Sequence, residues 1–273
     1  MTEQFTSTAV NHMRMFLILF CTALALQLLR HWRAQAAFFQ TQPVHLYGPP
    51  PVLLGRWPMP ALSEKQFLLA GGALLTGLLG ALLGRATRFW LLLALLGALF
   101  YFSQILGLAW VQRKVSLLPL VLLVLLVAPG SDLALRDAAP AWPLWLIKLC
   151  LAQMYFSAGL EKLRHTGWAW ADGTSLQAYL VEHHLWGDTP QALWLAQRLW
   201  LCRVLSVLTL AFELSFWLLL LWPMLRWLYA PAGLLFHLGT ALTMRIHYLR
   251  YLGPVYLVFA TDAAFALLSW WGK

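Results

Sequence analysis

What most constrains this chain is a succession of long apolar segments with few charges. They lie at 13–32, 66–84, 89–110, 115–128, 142–163, 199–222, 225–244 and 252–271. A helix needs about 20 apolar residues to cross the hydrocarbon of a bilayer, and most of these segments are that long. They are continuously apolar rather than alternating, which favours helices over barrel strands. The expected fold is therefore all-α: a polytopic transmembrane helical bundle of eight spans, with seven as the alternative. The 115–128 segment is short, as in a tilted or partly re-entrant helix.

Composition agrees. Only 11% of residues are charged and 61% are hydrophobic, whereas a soluble domain carries about a quarter charged residues. The longest stretches without a span, 30–65 and 164–198, are too short and too polar for an independent core. The expectation is one membrane domain over 1–273 and no soluble domain. The net charge of +9 falls mainly in loops between spans, as in membrane proteins. No basic stripe or nucleic-acid motif accompanies it, so the bilayer, not nucleic acid, is the expected partner. Cys21, Cys150 and Cys202 sit in apolar segments with no pairing pattern. His183-His184 finds no third ligand at a convincing spacing, so no metal is expected. Arginine outnumbers lysine, 14 to 5, which hints at a GC-rich bacterial gene and hence a bacterial inner membrane.

The first span is expected to be retained. Ala34-Gln35-Ala36 mimics a signal-peptidase site, but Arg30, His31 and Arg33 intervene where a cleaved signal has small polar residues. Breaks fall at Gly84-Arg85, Gln112-Arg113-Lys114, Pro129-Gly130 and Pro223. Six prolines in 43–60 predict an extended, semi-rigid loop. Trp32, Trp57, Trp142, Trp145, Trp222 and Trp227 crowd span ends like an interfacial belt. With eight spans, loops 30–65, 110–115, 164–198 and 245–251 share the more basic side. The basic surplus overlaps the motif region, so orientation stays open.

Ionisable residues within spans cost about 2.5–3.5 kcal/mol each on insertion scales. This chain keeps Lys148, Glu161, Lys162, Glu213, His237, Arg245, His247 and Asp262 in or at the ends of its spans. Glu213 lies nine residues before Trp222 and His237 ten after Trp227. Both therefore sit roughly 14–15 Å from one membrane face, and they are expected to face each other. A register-fixing hydrogen bond is one reading; a substrate or proton site is the other.

The text around the fifth span is the most informative: LIKLCLAQMYFSAGLEKLRHTGWAWADGTSLQAYL. Lys148, Tyr155 and Lys162 are spaced by seven and share a helix face. Gly159 permits close approach of a ligand or another helix. Trp168, Trp170 and Gly173 form a short aromatic loop, and 174–184 reads as a short amphipathic interfacial segment.

These residues resemble the HTTM superfamily, whose best-known member is the vitamin K-dependent gamma-carboxylase. The likeness rests on Phe156, Ala158, Gly159, Leu160, Lys162 and Leu163, then Trp170 and Gly173, then Glu213, Arg226 and His237. It covers roughly 142–262, and lipase maturation factors share the AGL-x-KL stretch more distantly. The resemblance implies that Lys162 matches the base that deprotonates vitamin K hydroquinone. It also implies a quinone or hydroquinone ligand and redox chemistry on a small or lipidic substrate. The carboxylase's large non-membrane region has no expected counterpart here.

Two functions follow. One is a membrane enzyme with catalytic Lys162 and a ligand site of Tyr155, Gly159, Trp168, Trp170, Glu213, His237 and Arg245. The other is a non-catalytic membrane subunit that assembles or stabilises a partner membrane protein. For the enzyme, Lys162 is expected to point into a cavity without a carboxylate partner, near Arg245 and His247. Burial or a neighbouring cation is what makes a lysine a base. A transporter is a weaker reading, because no inverted repeat is evident.

Overall fold

A computed structural model describes residues 2–41, 52–53, 57–106, 116–129 and 140–271. Side chains are described within 11–32, 59–104, 116–129 and 140–264, and at 266. The expected break at 112–114, the triproline at 49–51 and the end of the 89–110 segment lie outside the described residues. The chain forms α1 (Thr2–Thr41), β1 (Val52–Leu53), β2 (Trp57–Pro58), α2 (Glu64–Leu82), α3 (Thr87–Leu106), α4 (Leu117–Val127) and α5 (Trp142–Thr166). After a 3₁₀ turn over Gly167–Asp172 come α6 (Thr174–Gly187), α7 (Pro190–Ala196), α8 (Leu199–Ser215) and α9 (Leu218–Leu221). A second 3₁₀ turn, Pro223–Leu225, leads into α10 (Arg226–Met244) and α11 (Leu249–Trp271). Apart from the two-residue antiparallel pair β1–β2, all regular structure among the described residues is helical.

Four helices are long and apolar enough to cross a membrane, over Asn11–Trp32, Glu64–Leu82, Thr87–Gln104 and Trp142–Asp172. Counting α7 with α8, which meet at a 97° bend, as one broken span gives five. Two expected spans come out differently. The 115–128 segment is an 11-residue helix, about 16 Å long at 1.5 Å per residue and too short to cross upright. The 199–222 segment breaks after Ser215 and resumes only as the four-residue α9. In α10, Tyr229, Pro231, Gly233, His237 and Thr240 dilute the apolar character. The chain is an integral membrane protein.

The fold divides into two units, 1–147 with 250–273, and 148–249. In the first, α1 buries Met13, Phe16, Leu17, Phe20, Cys21, Leu24 and Leu28. These recur at three- and four-residue steps and so lie on one stripe. Leu26 and Leu29 on the opposite face are exposed, which suits a lipid contact. A capping box starts α2: the Ser63 hydroxyl accepts from the Gln66 N–H while the Gln66 side chain accepts from the Ser63 N–H. Gln104 of α3 ties down the chain entering α2. Its Oε1 accepts from Leu62 N at 3.0 Å, and its Nε2 donates to Pro60 O at 3.1 Å.

Small residues let α2 and α3 meet backbone to backbone. A Cβ on Gly77 would lie 2.4 Å from Ala94 N, and one on Gly97 would lie 2.4 Å from Leu74 N. This is the close packing that membrane helices use in place of a hydrophobic driving force. Gly77→Ala is expected to force the hairpin apart at a cost of about 1–3 kcal/mol. Thermal unfolding in detergent checks this. A melting point equal to that of wild type would show that the two backbones are not in contact.

In the second unit, Leu180, Ala192, Ala196 and Cys202 form a small core closed by Leu176, Leu195 and Met244. Gln177 Nε2 donates to Ala196 O at 2.7 Å, tying α6 to the end of α7. The expected interfacial segment 174–184 is thus a defined helix, α6, which exposes Tyr179, Val181, Leu185 and Trp186.

Candidate functional site

The second unit gathers the polar residues of the motif. The helix α5 ends where Gly167 takes φ +62, the left-handed conformation that favours glycine at a helix C-terminus. The Thr166 hydroxyl donates to Lys162 O at 2.7 Å. The chain then passes through the 3₁₀ turn to Gly173 at φ +86. Asp172 Oδ1 accepts from both the backbone N–H and the hydroxyl of Thr174, at 2.8 and 2.6 Å, and so starts α6. This turn brings Trp170 back over α5, with its ring centroid 5.4 Å from Lys162 Nζ.

Lys162 Nζ donates to both carboxylate oxygens of Glu213, each at 2.7 Å. Glu213 is only 3% exposed, whereas the Lys162 side chain keeps 22% of its surface. Gly159 makes this pairing possible. A Cβ there would meet Leu214 at 3.0 Å and Glu213 Cβ at 3.1 Å, so α8 approaches α5 at the turn below the lysine. The close approach expected of Gly159 is made by a helix.

A second pair lies beside the first. The Tyr155 hydroxyl and His237 Nε2 are 2.5 Å apart, and both residues are buried, at 2% and 0% exposure. With the imidazole neutral and protonated on Nδ1, Tyr155 donates to Nε2. Phe212 and Phe216 pack around the Tyr155 ring, with centroids at 5.1 and 4.4 Å. Tyr248, between α10 and α11, sets its ring edge-on to His237 at 5.6 Å. Burial, and then the Glu213 carboxylate, push the Tyr248 phenol above its ordinary pKa.

The structure corrects the expectation for Lys162. Lys162 is not free of carboxylates, because its Nζ sits between both oxygens of Glu213 in an ion pair. Glu213 bonds Lys162 and His237 bonds Tyr155, so each of the two residues matched in depth has a partner on α5. Arg245 meets the chain just after α6. It takes φ +54 at the end of α10 and reaches Asp188 O at 3.4 Å. Trp168 is 77% exposed and points away, whereas Trp170 joins the site. Tyr248, Phe212 and Phe216 escaped notice in the sequence, because an aromatic residue within or beside an apolar span carries no signal of its own. Among the described residues, no three His, Cys, Asp or Glu side chains are placed to hold a metal.

The chemistry available is proton handling in a region of low dielectric. A lysine–carboxylate pair exchanges a proton internally, and a phenol–imidazole pair does the same. Trp170 Nε1 is buried with no hydrogen-bond partner among the described residues, which leaves one N–H for an oxygen acceptor.

Comparison with known proteins agrees with this reading of the motif. No curated protein and no solved structure matches the chain. The HTTM-domain family model matches residues 131–270, which take in the whole second unit and the helices flanking it. With the motif from Phe156 to Gly173, Glu213 and His237 all inside a match that covers half of its length, the chain belongs to the HTTM-domain family.

Proposed function

We propose that the chain is an HTTM-type membrane enzyme that receives a quinone-like or lipidic ligand beside Lys162, with the Lys162–Glu213 pair as its acid–base unit. The observation behind this is the convergence of Lys162, Glu213, Tyr155 and His237 from α5, α8 and α10 in two short pairs. Groups of this kind are costly within a membrane unless they serve a purpose. The ion pair revises the lysine's role. In a low-dielectric site, moving the proton from Nζ to the Glu213 carboxylate cancels two buried charges and avoids their desolvation cost. Nζ then carries a lone pair, and the carboxyl holds the proton it gave up.

The residues present fit a quinone-like ligand. Trp170 and the aromatic residues around Tyr155 offer flat apolar surfaces, and the Trp170 N–H offers a donor to a ring oxygen. A hydroquinone would supply the acidic hydroxyl protons. The chain's own residues orient the ring, exclude water and take up a proton at Nζ. We further read the chain as a single membrane domain of seven or eight spans in a bacterial inner membrane, given its arginine-rich basic content.

One observation favours the alternative, a non-catalytic subunit that assembles a partner membrane protein. Each pair is already satisfied by its own partner, as a pin fixing helix register would be. Lys162→Arg separates the two readings, because arginine keeps the ion pair but does not release its proton at working pH. In cells that need the protein, the enzyme reading expects loss of function with normal membrane levels. Wild-type growth with Lys162→Arg would hand the site to the subunit reading. Native mass spectrometry of gently purified protein provides an independent check, through a bound quinone or a partner chain.

A further inference from the structure

The first unit holds a polar concavity of its own. It is a shallow crevice of about 300 Å³, counted with its open mouth. Gln27 and His31 of α1, Tyr101 of α3, and Arg250 and Tyr251 of α11 line it. Leu24, Leu28 and Phe102 form its apolar wall. His31 lies between Arg30 and Arg33, where the apolar run of α1 gives way to basic residues, and Arg250 is the second residue of α11. The crevice therefore lies beside the start of α11 and the basic end of the apolar run of α1, where a membrane face is expected.

Its charge is one-sided. No acidic residue lines it, and α11 has none in its first turn. Arg250 is half-buried and makes no hydrogen bond or ion pair with any described residue. A guanidinium beside the positive end of a helix opposes the macrodipole preference, and a half-buried cation needs a compensating anion. Donors dominate the remaining lining: a carboxamide, an imidazole and two phenols. The crevice is too shallow to swallow a molecule, but it can seat a small tetrahedral group at its mouth.

We infer that this crevice seats the phosphate group of an anionic membrane phospholipid, gripped by the Arg250 fork. Guanidinium matches phosphate geometry through two parallel hydrogen bonds. The test uses full-length protein, delipidated in mild detergent and reloaded with dioleoyl phosphatidylglycerol or dioleoyl phosphatidylcholine, read by native mass spectrometry. Wild type is expected to prefer the anionic lipid by about fivefold, the scale of one basic residue at a membrane surface. Arg250→Gln should abolish the preference, while Arg88→Gln, on the exposed face of α3, should keep it. Equal preference in Arg250→Gln and wild type overturns the inference. Inorganic phosphate distinguishes the source. Arg250-dependent broadening of its ³¹P resonance, without any lipid preference, would assign the crevice to free phosphate and overturn the lipid. Should Arg250→Gln fail to purify, the pair Gln27→Leu and His31→Phe strips the opposite wall. Loss of preference then supports the site, and an unchanged preference rejects it.

Discussion

Lys162→Met alone is expected to destabilise the second unit by about 3 kcal/mol, because it strands the buried Glu213 carboxylate without its partner. The value sits at the low end of the range for broken buried pairs, since Lys162 keeps some contact with solvent. Glu213→Leu alone costs less than the reverse change, because the stranded ammonium can reach toward water. The double variant Lys162→Met with Glu213→Leu should recover the lost stability. Apolar residues of similar volume often replace a buried ion pair at no net cost. Unfolding in detergent, followed by near-ultraviolet circular dichroism, measures all three against wild type. The functional result of the double variant then separates the two readings. Under the enzyme reading it folds and remains inactive, because no acid–base pair is left. Full function in the double variant would reduce the pair to a pin between α5 and α8. If instead the double variant is as unstable as Lys162→Met, the ion pair does more for the fold than its geometry implies.

Among the glycines whose surroundings are described, Gly173→Ala is expected to be the most damaging change, costing about 3 kcal/mol or more. Two costs add. The left-handed conformation at φ +86 is worth roughly 1–2 kcal/mol against any residue with a Cβ. The new Cβ would also lie 2.4 Å from Arg203 N and 2.7 Å from Arg203 Cα, atoms of the α8 backbone that cannot rotate away. Forcing the start of α8 outward adds about 1–3 kcal/mol of overpacking strain. It would also pull apart the turn that carries Trp170 to Lys162. Gly167→Ala provides the control. It has the same kind of backbone, at φ +62, but nothing lies within 4 Å of its would-be Cβ, so it should lose only about 1 kcal/mol. Melting points of the two variants that coincide would show that Gly173 is kept for its backbone angle alone.

Much of the candidate site was legible before any coordinates. Lys162, Glu213 and His237 stood out because a charged or imidazole side chain in an apolar run is costly wherever it points. Tyr155 and Gly159 stood out because they share the lysine's face. Matched depth placed Glu213 and His237 at one level, which is a statement about rise per residue and needs no fold. Which group would partner which was not legible. Depth fixes height along a helix but leaves its rotation and its neighbours open. Arg245 illustrates this limit: at the left-handed cap of α10 it reaches the Asp188 carbonyl, a contact that depth alone does not foretell.

The sequence by itself determined that this is a helical membrane protein, because apolar length and scarce charge are properties of composition and spacing alone. It also determined the family motif and the expensive residues within it. Tertiary structure alone decided the pairing. Lys162 met Glu213 because Gly159 lets α8 come within contact of α5, and Tyr155 met His237 because α10 supplies the other side of the same pocket of aromatic rings. It also decided that 115–128 stops at eleven residues and that 199–222 breaks after Ser215, although both runs are predominantly apolar. Hydropathy scores the side chains' preference for lipid. Where a helix ends depends on turns and packing, and no single segment contains that information.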